Sequence, residues 1–226
     1  MSPIDICNQA LAHIGDRRIT RLDDEAQATD PLVRFCSEFY ESARTEALAA
    51  HRWSFAKGAE VLVRRTDTPV IGRFTYTHIK PVGCLRVMQL IKGYLSGDEV
   101  TPSSYRGNID SFEIVGKDIK SNYQFLALEY IKDVTDPSDW SPHFRAAVSR
   151  LLAHYLAGAI ADNPGLASQQ LDIYEKVALT NAQYYDAVQD NSGENSDQTV
   201  RKAGSPLYRS RFASGYDDNG PIDASE

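Results

Sequence analysis

The sequence predicts an α+β fold: a bundle made mainly of four α-helices, a small antiparallel β-sheet inserted between its halves, and an extended C-terminal arm. Three patterns predict it. A capping residue followed directly by proline recurs ahead of apolar residues spaced three and four apart, which is how a helix starts. In the middle of the chain the period falls towards two, and β-branched and aromatic residues take over. Past Asn191 apolar residues thin out too far for the segment to fold alone. The boundaries follow as an N-terminal helical half over 1–56, a β-rich insert over 57–135, a helical hairpin over 136–190 and a docking arm over 191–226.

The first helix opens at Ser2-Pro3, carries Ile4, Cys7, Leu11 and Ile14 on one face, and ends at Gly15. A loop over 16–27 follows, with Ile19 and Leu22 as anchors into the core. The second helix opens at Asp30-Pro31 and turns Leu32, Cys36, Phe39, Ala43 and Ala47 inward as far as His51. Its other face shows Arg34, Glu38, Glu41, Arg44 and Glu46, so it is solvated or available to a partner. Trp53 and Phe55, at the handover from helix to sheet, are expected to plug the core between the two parts.

Strands are expected over 60–65, 73–79, 84–91, 112–115 and 123–132, with a tight hairpin turn at Gly116-Lys117. The third helix opens at Ser141-Pro142. Its apolar set Phe144, Val148, Leu151, Leu152, Tyr155, Leu156 and Ala159 is wide enough to pack on two sides, which places it in the centre. Asn163-Pro164-Gly165 breaks the hairpin. The fourth helix then shows a seam of Leu171, Tyr174, Ala178, Asn181, Tyr185 and Val188, and at 1.5 Å per residue it is about 36 Å long.

With 226 residues, 42% of them hydrophobic, the chain has ample material for a packed core. It contains no apolar run of the roughly 18 residues that a membrane span needs, and Met1-Ser2-Pro3-Ile4-Asp5 lacks the basic start and hydrophobic stretch of a signal peptide, so synthesis in the cytoplasm and no membrane association are expected. Cys7, Cys36 and Cys84 are far apart in apolar contexts and read as buried thiols. The five histidines never fall at metal-ligand spacing, so neither metal nor cofactor is expected. A formal charge of −7 argues against a sequence-reading DNA binder and suits a surface that DNA slides past. In the tail, Arg201, Leu207, Tyr208, Arg209, Arg211, Phe212 and Tyr216 interleave basic and aromatic residues. Two readings stand side by side there, a docking arm for a partner's groove and a free polar end; the clustering of the aromatics favours the arm.

Several segments occur in an order that resembles a known family. They are Ile6-Cys7-Asn8-Gln9-Ala10-Leu11-Ala12-His13-Ile14-Gly15, Ile19-Thr20-Arg21-Leu22-Asp23-Asp24, His51-Arg52-Trp53-Ser54-Phe55-Ala56, Pro81-Val82-Gly83-Cys84-Leu85-Arg86-Val87, Tyr130-Ile131, Asp136-Pro137 and Trp140-Ser141-Pro142-His143-Phe144. Together, over about residues 4–190, they resemble the head-to-tail adaptor proteins of tailed bacteriophages, the tail tubular protein A family. The resemblance implies a structural virion protein with no enzymatic role. It would form a homo-oligomeric ring, commonly of twelve copies, in the neck under the portal protein and above the tail or nozzle proteins, with genomic DNA passing through. Twelve helix pairs, each about 20 Å wide, give a ring about 75 Å across at mid-wall; a wall about 35 Å thick then leaves an opening of roughly 40 Å, wide enough for a duplex. On this reading the charged faces of the second and fourth helices are candidates for the subunit boundary, and the segment 73–91 projects towards the tail.

Two other classes are weaker. A tail-associated cell-wall or polysaccharide hydrolase would need carboxylates facing each other across a sugar, whereas Asp23, Asp24, Glu25, Asp136 and Asp139 are neighbours in loops and caps, and Ser54 and Ser141 have no evident base. For a DNA-binding module, Arg17-Arg18 and Arg64-Arg65 are scattered among acids.

Overall fold

The structure is a computed structural model in which residues 1–66, 72–93, 105–109 and 111–189 are described. The chain divides into two compact units, Met1–Asp186 and Ala187–Glu226. The first holds both sheets and the helical turns up to Asp186.

Local signals placed the helices well. α1 (Pro3–Ile14) starts where the Asp5 carboxylate takes the Ser2 backbone N–H at 2.8 Å, and it ends at Gly15, whose φ of 80° suits a residue without a Cβ. α3 (Pro31–Ala50), α4 (Pro142–Ala159) and α5 (Pro164–Ile173) each have proline at the first position, with the Asp30, Ser141 and Asn163 side chains accepting the backbone N–H of Leu32, Phe144 and Leu166. Between α1 and α3 the expected loop contains a short helix, α2 (Asp24–Thr29), capped by Asp23. As expected, α4 is central: it packs on α1, α3 and α5, and Phe144, Val148, Leu151, Leu152 and Leu156 are buried.

The β-rich part corrects the prediction. The chain is not a four-helix bundle with one small sheet; it is a mixed structure in which two four-stranded antiparallel sheets stand beside the helices. The first sheet has the order β1 (Lys57–Val61), β8 (Leu126–Lys132), β4 (Cys84–Gly93), β5 (Tyr105–Asn108). The second has the order β2 (Arg64–Arg65), β3 (Tyr76–Ile79), β7 (Asp118–Ser121), β6 (Phe112–Val115). The single strand expected over 60–65 is two: β1 pairs with β8, and β2 pairs with β3 in the other sheet. At the change of sheet, Leu62 is buried and its N–H still reaches the Leu126 carbonyl at 2.8 Å. A period of two marks extended backbone but carries no record of which strand lies alongside, because pairing is a long-range choice. The hairpin turn at Gly116, φ 60°, is where the sequence puts it.

Two cores result. One lies between the sheets, with Ile119 of β7 among Leu90, Leu126 and Leu128 of the first sheet. The other fills the helices and includes Ile131 and Val134 at the end of β8. Trp53 and Phe55 plug the helix-to-sheet junction as expected. The Trp53, Phe55 and Trp140 rings surround Phe144 at centroid distances of 4.8, 5.1 and 5.2 Å, and the two indole N–H groups donate to the Ala47 and Val134 carbonyls.

Arg44 also departs from the prediction. It is buried, not on the open face of α3, and its guanidinium donates to Asp133 just past β8 at 2.9 Å. The helical period puts Arg44 near the acidic face, but the sheet approaches α3 on that side. Asp133 keeps 22% of its side chain exposed, so it can regain water when its partner is lost. Arg44→Met is therefore expected to cost about 2 kcal/mol, below the 3–5 typical of a fully buried broken pair. Urea unfolding checks this; a loss under about 0.5 kcal/mol would show that the pair does not tie α3 to the sheet.

Candidate functional site

The last helix decides which surface the chain offers. From Pro164 it runs through α5, a single π-helical turn over Tyr174–Ala178, and α6 (Leu179–Gln189). In that turn the Leu179 N–H bonds the Tyr174 carbonyl five residues back, so one extra residue enters the helix. Up to Ala178 the expected seam holds: Leu171 and Ala178 pack on the core, and Tyr174 is buried. Beyond it the seam slips by one position. Ala182 and Asp186 turn inward, while Tyr185 and Val188, expected inside, face out, and Asn181 is exposed, as suits the helix edge the sequence favours for it. A strict three-and-four spacing cannot anticipate an inserted residue, so the sequence reading missed this shift.

Asp186 explains why the slip is held. Its buried carboxylate accepts the Ser54 backbone N–H at 3.0 and 3.1 Å and the Ser54 hydroxyl at 2.6 Å, with His51 Nε2 at 3.7 Å. One acid thus caps the 3-10 turn Ser54–Ala56 and pins α6 to the helix-to-sheet junction. Burial pushes the His51 imidazole below its ordinary pKa, against the pull of the Asp186 charge. The residue types are those of a hydrolytic triad, but the arrangement is not. The serine hydroxyl points its proton at the carboxylate, where a triad would interpose the histidine. The other acids weighed as catalytic serve local structure: Asp23 and Asp136 accept the backbone N–H of Ala26 and Ser138 at 2.8 Å, and Asp24 and Glu25 sit in the first turn of α2. Ser141 caps α4.

The outer face that results is an uncharged stripe. Val177, Tyr184 and Tyr185 are 45–52% exposed, with Asn181 between them. The His143 ring lies parallel on Tyr185 at 3.8 Å, and Tyr184 meets Tyr185 edge-on at 5.4 Å, so the pair is held upright. From Val177 to Asp186 the only charged side chain is the buried Asp186. Large aromatic side chains without surrounding charge are the composition of an interface centre, not of ordinary surface. On α3, Arg34, Glu38, Glu41 and Glu46 are exposed; Glu41 lies 3.8 Å from Arg44, and Glu46 accepts the Tyr155 hydroxyl.

A second apolar surface lies at one end of the second sheet. Val63, Ile79 and Val115 are exposed there in one row across the sheet, with Asp118 of β7 between Ile79 and Val115, and Val82 is fully exposed in the loop after β3. The Lys80 N–H donates to the Lys117 carbonyl at 2.9 Å, which sets that loop beside the Gly116-Lys117 turn.

The tail residues Arg201, Leu207, Tyr208, Arg209, Arg211, Phe212 and Tyr216 lie outside the described residues. Among the described residues no cluster of three or more His, Cys, Asp or Glu could hold a metal ion, and no helix is long and apolar enough to cross a membrane. Compared with known proteins, the chain matches no family model and no curated protein.

Asp186→Ala would leave the Ser54 N–H and hydroxyl without their acceptor at the junction. The expected cost is about 2 kcal/mol, together with faster amide hydrogen exchange over 179–189; unchanged exchange there would refute the pinning role. A second expectation concerns pH. Burial holds the His13 imidazole down to about 4 and also lowers His51 and His78. The unfolded chain therefore takes up protons at these sites first as pH falls below about 6.5. Stability should decline from there towards pH 4, and His13→Gln should flatten the slope in chemical unfolding measured across that range.

Proposed function

We propose that this chain is a structural subunit of the virion neck of a tailed bacteriophage. It acts as a head-to-tail adaptor whose copies stand side to side in a ring under the portal and pass the genome through the middle. The observation that carries the reading is the uncharged tyrosine and valine stripe on the outer face of the last helix. Two tyrosines held upright by His143 and each other lose little freedom on contact, which makes them good anchors. The ordered series of segments that resembles the adaptor family gives the contact its setting.

Side-to-side contacts between unlike faces close into a ring when the rotation between copies divides a full turn, and no bond is made or broken in such a part. Genomic DNA would pass without sequence-specific binding, helped by the net charge of −7, which repels phosphate and prevents sticking. The setting is the assembled virion, with the host cytoplasm as the place of assembly. Tail or nozzle proteins are the partners below the ring.

The test is mass measurement of the purified chain alone and after mixing with portal particles. Ring-sized species, or stoichiometric retention on the portal in co-sedimentation, is expected. A chain that stays single and never binds portal particles contradicts the proposal. A chain lacking residues 200–226 should fold and yet be released from the portal; full retention would move the portal contact away from Tyr208, Arg209, Arg211 and Phe212.

A further inference from the structure

The adaptor reading requires two unlike faces on each copy, and the described surface carries two apolar clusters of different chemistry. One is the stripe of Val177, Tyr184 and Tyr185 on the last helix; the other is the tip of the second sheet, with Val63, Ile79, Val82 and Val115. We propose that the sheet tip of one copy packs on the helix stripe of the next copy, so that these two clusters are the two halves of the ring contact. The inference rests on the ring reading and specifies which surfaces make it.

Shape and chemistry both favour a second copy as the occupant of the stripe. The tip is small and β-branched, with Val82 fully exposed at its end, and it suits insertion beside flat upright tyrosine rings. The charges around the two clusters are complementary. In a chain of net charge −7 the tip is bordered by Lys80, Lys117 and Arg64. Its nearby acid Asp118 is engaged by Arg65 at 3.4 Å. Beside the stripe, Lys176 pairs with Asp172 at 2.9 Å, which leaves the exposed Glu175 as the acid next to it. A basic tip against Glu175 steers unlike faces together and sets tip against tip at a disadvantage. That is the bias a ring needs, because a contact between like faces stops at a dimer.

Cysteine cross-linking in the full-length chain tests this, with and without portal particles. The native Cys7, Cys36 and Cys84 are buried, so Val82→Cys and Tyr184→Cys supply the accessible thiols. A short bismaleimide should give a covalent dimer when Val82→Cys copies are mixed with Tyr184→Cys copies and little when either is treated alone. Lys117→Glu should weaken self-association roughly tenfold, and adding Glu175→Lys to the same chain should restore it. Equal adduct from either variant alone would mean a contact between like faces and overturns the pairing. Absence of the mixed adduct while the unmodified chain still forms rings overturns the pairing and leaves the ring reading standing. Absence of both the adduct and any assembly, on the portal or off it, removes both.

Discussion

The ring cluster around Phe144 is the constraint on which the remaining geometry depends. Phe144 opens the central helix, Trp53 and Phe55 follow the end of α3, and Trp140 precedes α4, so four aromatic rings from two chain segments meet at one point. Both indole N–H groups find carbonyl acceptors there, so burying them carries no penalty for unmade hydrogen bonds. Truncating a ring of this kind commonly costs 3–5 kcal/mol, a large fraction of a domain's stability. Because the cluster lies where the helices hand over to the first sheet, it fixes the angle at which β1 leaves α3 and the position from which α4 starts.

Polar links then secure what the rings position. Arg44 and Asp133 join α3 to the end of β8, and Asp186 joins the last helix to Ser54 beside Trp53. Both are non-local. They supply direction where apolar packing supplies only proximity, since a charge-assisted hydrogen bond is satisfied over a narrow range of angles and burial is not.

The surface available for assembly is a consequence of those links. With Asp186 drawn in to Ser54, the extra residue of the π turn has to be accommodated upstream, and the face of α6 rotates until Tyr184 and Tyr185 stand outside. A regular helix carrying the same residues would bury Tyr185. A helical irregularity thus makes the feature on which the functional proposal stands.

The readable part of the sequence was its local part. Helix starts at Ser2-Pro3, Asp30-Pro31 and Ser141-Pro142, the break at Asn163-Pro164-Gly165, the stop at Gly15, the turn at Gly116, the central place of α4 and the plugging role of Trp53 and Phe55 all came from a few adjacent residues, because caps, turns and helical periods are decided within one or two turns of chain. What the tertiary structure alone decided was partnership across long separations. It divided one expected strand between two sheets, buried Arg44 against Asp133, and moved the last seam by one residue so that Asp186 could reach Ser54. The last two of these depend on groups 89 and 132 positions apart in the chain. No window of the sequence contains both members of such a pair, so packing in three dimensions makes the choice.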